Sequence, residues 1–311
     1  MTVLRWAAIL GLLFCGVMLP RPAAADTKLV IGQTAAHDYQ PAIIAKEKGF
    51  FAKRGFDVEI MIPPQPSAVF GGITSGSIQI GTSPGPQIAL ANDAGADVVV
   101  VSGGAFETRA HPSIIVVASP AANIRQASDF RGKKVMTPGL NSVYHVMFQQ
   151  WLILQGVDPK AVVFPEGGFP QMADMLKAAL IDAALPTEPF TSRILDSGSG
   201  VHVADYFSSV KDDAFVTFYI ATKAWAAENP AALHAFREAL AEGIAFIRAN
   251  DMEAKAIEAQ FLKLPPPLLA KLGPPNAKIE VTADDLQFWL DSSKSLGLVA
   301  TTLDAKSMMA P

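Results

Sequence analysis

The chain has 311 residues, half of them hydrophobic and 17% charged, so it can bury a substantial core and is not disordered. Its 25 basic and 29 acidic residues give a net charge of −4 with no Lys/Arg-rich run, which argues against a nucleic-acid partner. The length suits one large or two medium domains.

Residues 1–25 read as a cleavable secretory leader. Arg5 gives a positive start, Trp6 to Leu19 is an apolar run of 14 residues, Pro20 interrupts it, and Ala23-Ala24-Ala25 offers the small residues of a cleavage site. The run is shorter than the ~20 residues a helix needs to span a bilayer. Cys15, the only cysteine, follows bulky Phe14 rather than the small residue of a lipoprotein signal. Cleavage after Ala25 would leave 286 residues, no cysteine and a charge of −6, from 23 basic and 29 acidic residues. Such an exported chain is held by core burial without disulfides, and has no thiol for catalysis or metal binding.

From Lys28 onward, short Val/Ile-rich runs alternate with stretches of helical period, which predicts an α/β fold. A strand at 28–31, a helix at 41–48 with Pro41 in its first turn, and a strand at 56–62 form a right-handed βαβ unit, punctuated by Gly49 and Gly55. Further strands are expected at 78–81, 97–102, 113–118, 134–137, 162–165, 181–185, 201–204 and 215–221, with helices between them. A helix capped by Asn141 or Ser142 runs to Gln155, where Gly156 ends it. Beyond Thr222 the pattern is helical: 230–250, 251–262 and 282–296, the last opened by a Thr282-x-x-Asp285 capping box. Leu264-Pro265-Pro266-Pro267 predicts a turn.

The string from Glu47 to Glu59, EKGFFAKRGFDVE, resembles the opening of the solute-binding proteins of the nitrate, sulfonate and taurine ABC importers, a superfamily that also holds pyrimidine-precursor binders. Later pieces follow in the family's order: Ser75-Gly76-Ser77-Ile78, Ala94-Gly95-Ala96, Asp129 to Val135 (DFRGKKV), Ile181-Asp182-Ala183-Ala184, Glu188-Pro189 and Glu228-Asn229-Pro230. The resemblance implies a two-lobed periplasmic-binding-protein fold of the second type, with ligand in the interlobe cleft. It also implies a monomer that presents its closed form to a permease in the inner membrane and needs no cofactor or metal. Lobe one would comprise 27–107 and 214–303, and lobe two 108–213, with hinge crossings near Gly104 to Pro112 and Tyr206 to Ala214. Gln79 stands where the family commonly has an acid, and Leu180 where it has a small residue.

Three loops that follow strands and enter helices are candidate ligand contacts, because a helix N-terminus offers free N–H donors. The first carries Gln33, Thr34, His37 and Tyr39, the alternative being simple capping of the helix by Thr34 or Asp38. The second carries Thr82 and Ser83 among glycines and prolines. The third, in the other lobe, carries Asn141, Ser142 and Tyr144. Arg109, at the first hinge crossing, suits an oxyanion clamp or an exposed charge. Glu188 suits either an amine or hydroxyl of the ligand or a structural cap. Together these residues predict a receptor for a small organic anion such as a sulfonate, taurine-like or aromatic acid, the alternative being a neutral pyrimidine-type precursor. An enzyme on the same scaffold is disfavoured: the five histidines show no metal-ligand spacing, and no P-loop, GxSxG or GxGxxG motif occurs.

Overall fold

The computed structural model describes residues 27–63, 67–263, 269–270 and 272–311. The leader, Cys15 and the 264–267 turn lie outside the described residues.

The chain opens with β1 (Thr27–Gly32), α1 (Gln40–Glu47) and β2 (Phe56–Met61), and β1 and β2 pair in parallel from Thr27↔Phe56 to Gly32↔Met61. Pro41 sits in the first turn of α1, where its missing N–H has no intrahelical acceptor to lose. Helix α2 (Ser67–Ser75), β3 (Ile80–Ser83), α3 (Gly85–Asp93) and β4 (Val98–Gly103) follow. Alternation along β1 sends Val30 to one apolar cluster and Leu29 and Ile31 to another, so both faces of the sheet are covered. Gln79 accepts the Val30 N–H at 2.8 Å and donates to the Gly76 carbonyl at 2.8 Å, so this departure from the family pattern satisfies β1 on its β3 side, just before the two strands pair.

A two-stranded antiparallel ribbon separates this sheet from the next. Its strands, β5 (Phe106–Glu107) and β10 (Ala214–Phe215), pair as Phe106↔Phe215 and Glu107↔Ala214. Between them in sequence lies a second sheet of β6 (Val116–Ala118), β7 (Val135–Met136), β8 (Ala183–Ala184) and β9 (Val201–Ala204), in the order β7-β8-β6-β9. It is flanked by α4 (Val143–Leu154), α5 (Phe169–Lys177), α6 (Phe190–Asp196) and α7 (Tyr206–Val210).

The chain then returns as β11 (Phe218–Thr222), antiparallel between β3 and β4, which completes a first sheet of order β2-β1-β3-β11-β4. Helices α8 (Lys223–Glu228), α9 (Pro230–Ala249), α10 (Asp251–Leu262) and α11 (Ala283–Ser295) end the fold. Gly243 lets α9 lie against α1, since a Cβ there would stand 2.5 Å from the Pro41 carbonyl oxygen. The C-terminal segment covers the outer edge of β4, with Ala310 donating to the Val100 carbonyl at 2.9 Å.

Two expected strands differ. The stretch 162–165 makes only isolated bridges, Lys134↔Val163 and Thr137↔Glu166. The single strand expected over 215–221 is broken at Val216 and Thr217, whose N–H groups both turn to the Ala105 carbonyl, so the halves serve different sheets. One apolar cluster spans both sheets. It includes Val30 and Ile88 on the first side and Phe148 and Trp151 on the second, and Phe207 of α7 meets Trp289 of α11 at 6.1 Å between ring centroids.

Candidate functional site

The β1–α1 loop starts with Gln33, whose N–H bonds the Met61 carbonyl at 3.0 Å and whose side chain is fully buried. Tyr39 follows, with its hydroxyl among those of Thr34, Thr82 and Thr217, and burial pushes its phenol up to about 12. The three threonines come from the β1–α1 loop, β3 and the entry to β11, so the tyrosine marks where those segments converge. Across the gap, Tyr144 at the start of α4 has its hydroxyl near that of Thr187 and its ring edge-to-face with Phe169 at 5.4 Å.

These groups enclose a cavity of about 540 Å³. Thr34, Asp38, Tyr39, Phe70, Thr82, Ser83 and Gln87 line it from the first-sheet side; Val143, Tyr144 and Phe169 line it from the second, and Val216 and Thr217 from the break that precedes β11. Among the described residues that line it there is no Lys, Arg or His, and Asp38 is the one carboxylate. Burial raises the Asp38 pKa, the nearby Glu258 adds to the rise, and His37 opposes it. A smaller notch of about 210 Å³ at Asn92, Asp97, Lys223 and Asp304 shares no residue with this cavity.

Of the residues expected from sequence, Thr34, Tyr39, Thr82, Ser83 and Tyr144 line the cavity. The others are placed elsewhere, each for a visible reason. Gln33 lies behind the loop with its amide toward the Tyr39 carbonyl at 3.5 Å. His37 turns away to α10, where Nδ1 meets buried Glu258 at 2.8 Å and Nε2 meets the Gly273 carbonyl at 3.0 Å. Arg109 donates from its guanidinium to the Ser208 carbonyl at 3.2 Å and from its N–H to Asp212 at 2.7 Å, outside the cavity. Glu188 caps α6 by accepting from the N–H and hydroxyl of Ser192 at 3.3 and 3.0 Å.

The expected oxyanion loop before α4 is also closed on itself. The Leu140 N–H goes to Glu166 at 2.6 Å, the Asn141 N–H goes to His145 Nδ1 at 3.0 Å, and Ser142 caps the helix by accepting the His145 N–H at 3.3 Å. That pattern needs a neutral His145, and burial, against the pull of Glu166, lowers its pKa to about 4. The Asn141 carbonyl accepts from Gln87 Nε2 at 3.3 Å, a bond that joins α3 to the other side of the gap.

Sequence reasoning missed Asp38 as a lining residue, together with Gln87 and Thr217; Phe70 and Phe169 also line the cavity, and as sequence they are possible cleft aromatics that composition does not separate from core phenylalanines. Asp38 was read as a cap, yet the short helix it enters takes its N-cap at Ala36 with no side-chain bond.

Residues 36–254 match the NMT1/THI5-like family. The chain belongs to that family. Among solved structures, the periplasmic aliphatic sulphonate-binding protein SsuA of Escherichia coli is similar at 20% identity, with a TM-score of 0.79 over 91% of this chain and 97% of that one. The nitrate-binding protein NrtA of Synechocystis is similar at 18% identity (TM-score 0.69, 90% and 84%). A putative sulfonate ABC transporter's periplasmic SsuA from Methylobacillus flagellatus is similar at 15% (0.70, 93% of each). At these identities the likeness establishes the two-lobed periplasmic-binding fold. No curated protein matches the chain.

Proposed function

We propose that the protein is the extracytoplasmic solute-binding receptor of an ABC importer, capturing a small organic molecule by closure of two lobes and presenting the closed form to an inner-membrane permease. The lobes are taken as 27–107 with 214–303, and 108–213, moving about the β5–β10 ribbon. The observation that carries this reading is the cavity between the two sheets, with tyrosine and phenylalanine from both sides. Its volume falls within the range of small-molecule sites, about 300–1,000 Å³, and its lining is mostly apolar with a few convergent polar groups.

Membership of a family of two-lobed proteins supports the receptor, and the similar proteins named above are binding components. The periplasmic setting rests on those proteins and on the leader read from sequence. No helix among the described residues is long and apolar enough to cross a membrane. A catalytic reading has little support: Thr82 and Ser83 line the cavity without a histidine beside them, His37 being turned to Glu258.

The polar groups suit a ring-bearing solute that donates hydrogen bonds. The anion expected from sequence loses its clamp, because Arg109 is bonded to Ser208 and Asp212 outside the cavity. One observation still favours an anion as a second reading: Val143 and Tyr144, the first residues of α4, border the cavity, and first-turn N–H groups have no intrahelical acceptor.

Purification without denaturation, followed by mass spectrometry of released small molecules and small-angle scattering before and after their removal, tests the receptor. One unmodified solute per chain, with expansion on its removal, is the expected result. A chemically altered solute, or a particle of unchanged dimensions, would overturn it.

A further inference from the structure

The uncompensated charge in the cavity identifies what the solute must bring. Asp38 is only partly exposed, lines the cavity, and has no hydrogen-bond donor within reach among the described residues. The nearest cation is His37, but its Nδ1 lies 2.8 Å from Glu258, a carboxylate whose side chain is fully buried. One imidazolium thus faces two acids. Glu107, a further acid on which Asp38 acts, is buried and already held by the N–H and hydroxyl of Ser113 and the N–H of Ile114, and adds no positive charge.

Gln87 repeats the theme on the neighbouring wall. Its Nε2 is used by the Asn141 carbonyl at 3.3 Å, and its buried Oε1 has no donor. A buried acceptor without a donor is unfavourable, so a ligand that supplies N–H groups recovers that energy on entry. The aromatic walls agree, since the faces of Tyr39, Phe70, Tyr144 and Phe169 attract cations and repel concentrated negative charge.

We propose that the solute is an organic monocation: an apolar or aromatic frame bearing a protonated amine or amidine whose N–H groups bond the Asp38 carboxylate and Gln87 Oε1. This rests on the receptor reading and adds the sign of the ligand's charge. Asp38 is the specificity determinant, and the aromatic side chains hold the frame.

Three probes that share one ring but differ in charge test it by calorimetry at pH 7.5: benzylammonium, benzyl alcohol and phenylmethanesulfonate. The expected order places benzylammonium about tenfold or more ahead of both others, with Asp38→Asn erasing that preference. The ranking in the unaltered protein stands as a test even if the variant is unstable. Equal or tighter binding of the alcohol or the sulfonate, accompanied by compaction in scattering, would overturn the cation while leaving the receptor intact. Failure of all three to bind would also overturn it, and the receptor would then be decided by the copurified solute alone.

Discussion

Asp38 carries opposed effects on stability and binding. Its carboxyl is raised chiefly by burial, so the folded protein keeps its proton to higher pH than the unfolded chain does. Between the unfolded value, about 4, and the folded one, the folded state binds more protons, and stability falls as pH rises through that window. Asp38→Asn removes the slope. We expect the unliganded variant to be more stable than wild type at neutral pH and to lose that advantage below about pH 4, as urea unfolding at several pH values would show. A variant less stable than wild type at pH 7 would contradict this account. Arg109 gives the reverse case. Its contacts lie outside the cavity, so Arg109→Ala should leave the affinity for the copurified solute within about twofold, and a tenfold loss, about 1.4 kcal/mol, would return the anion clamp to consideration. The hydroxyl residues of the site were legible because Thr, Ser, Gly and Pro after a strand mark a loop entering a helix. Asp38 was not, because an acid before a helix looks the same whether it caps the helix or faces a cavity. The distinction lies in the distant partners Glu258 and Gly273, which turn its neighbour His37 away.

At the scale of elements, the same His37 fastens the site loop to α10. Both ring nitrogens face acceptors, the Glu258 carboxylate and the Gly273 carbonyl, so the arrangement calls for an imidazolium. Burial alone would lower its pKa, but those two acceptors outweigh burial and raise it. The stabilisation is complete below the unfolded value, about 6.5, and is lost as pH rises through the folded one. Glu258, the Gly273 carbonyl and Asp38 are the groups that act on it, and the Gln40 amide donates to the same Glu258 at 2.9 Å. His37→Ala takes the cationic partner from a buried carboxylate that keeps only the Gln40 amide, and should destabilise by about 3 kcal/mol at pH 6, less at pH 9, measured by urea denaturation. An equal loss at both pH values would remove the imidazolium from the account. Packing of α3 on α11 is a second element-level contact, where a Cβ on Gly85 would stand 2.2 Å from Cγ of fully buried Trp289. Gly85→Ala is expected to destabilise by about 2 kcal/mol or more through overpacking, and a melting temperature unchanged from wild type would refute it. The capping box of α11 and the Ser142 cap of α4 could be read from sequence because they are local. The break at Val216 and Thr217 could not, because both halves are apolar and only the choice of partner strand divides them.

For the whole molecule, the resemblance carried the two-sheet plan, while the extent of contact between the halves depends on long-range packing. Two chain crossings pair in the ribbon, Phe207 meets Trp289 between α7 and α11, and Gln150 of α4 donates to the Ser292 carbonyl at 3.3 Å and the Ser295 hydroxyl at 2.8 Å of α11. A single apolar cluster therefore includes the helices of both sheets, and neither half can unfold without exposing surface of the other. We expect one calorimetric transition, with van't Hoff and calorimetric enthalpies equal, rather than separate melting of two lobes. A ligand that binds only the folded protein should move that transition as a unit, by about 2.7 kcal/mol at a hundred times its dissociation constant. Two resolved transitions in the unliganded protein that merge into one when the solute is added would show that the halves are coupled by the ligand alone. In that case Phe207→Ala, which removes the contact with Trp289, would leave the coupling unchanged. With a shared core, the same variant should split the single transition or broaden it, because it cuts the packing through which one half stabilises the other.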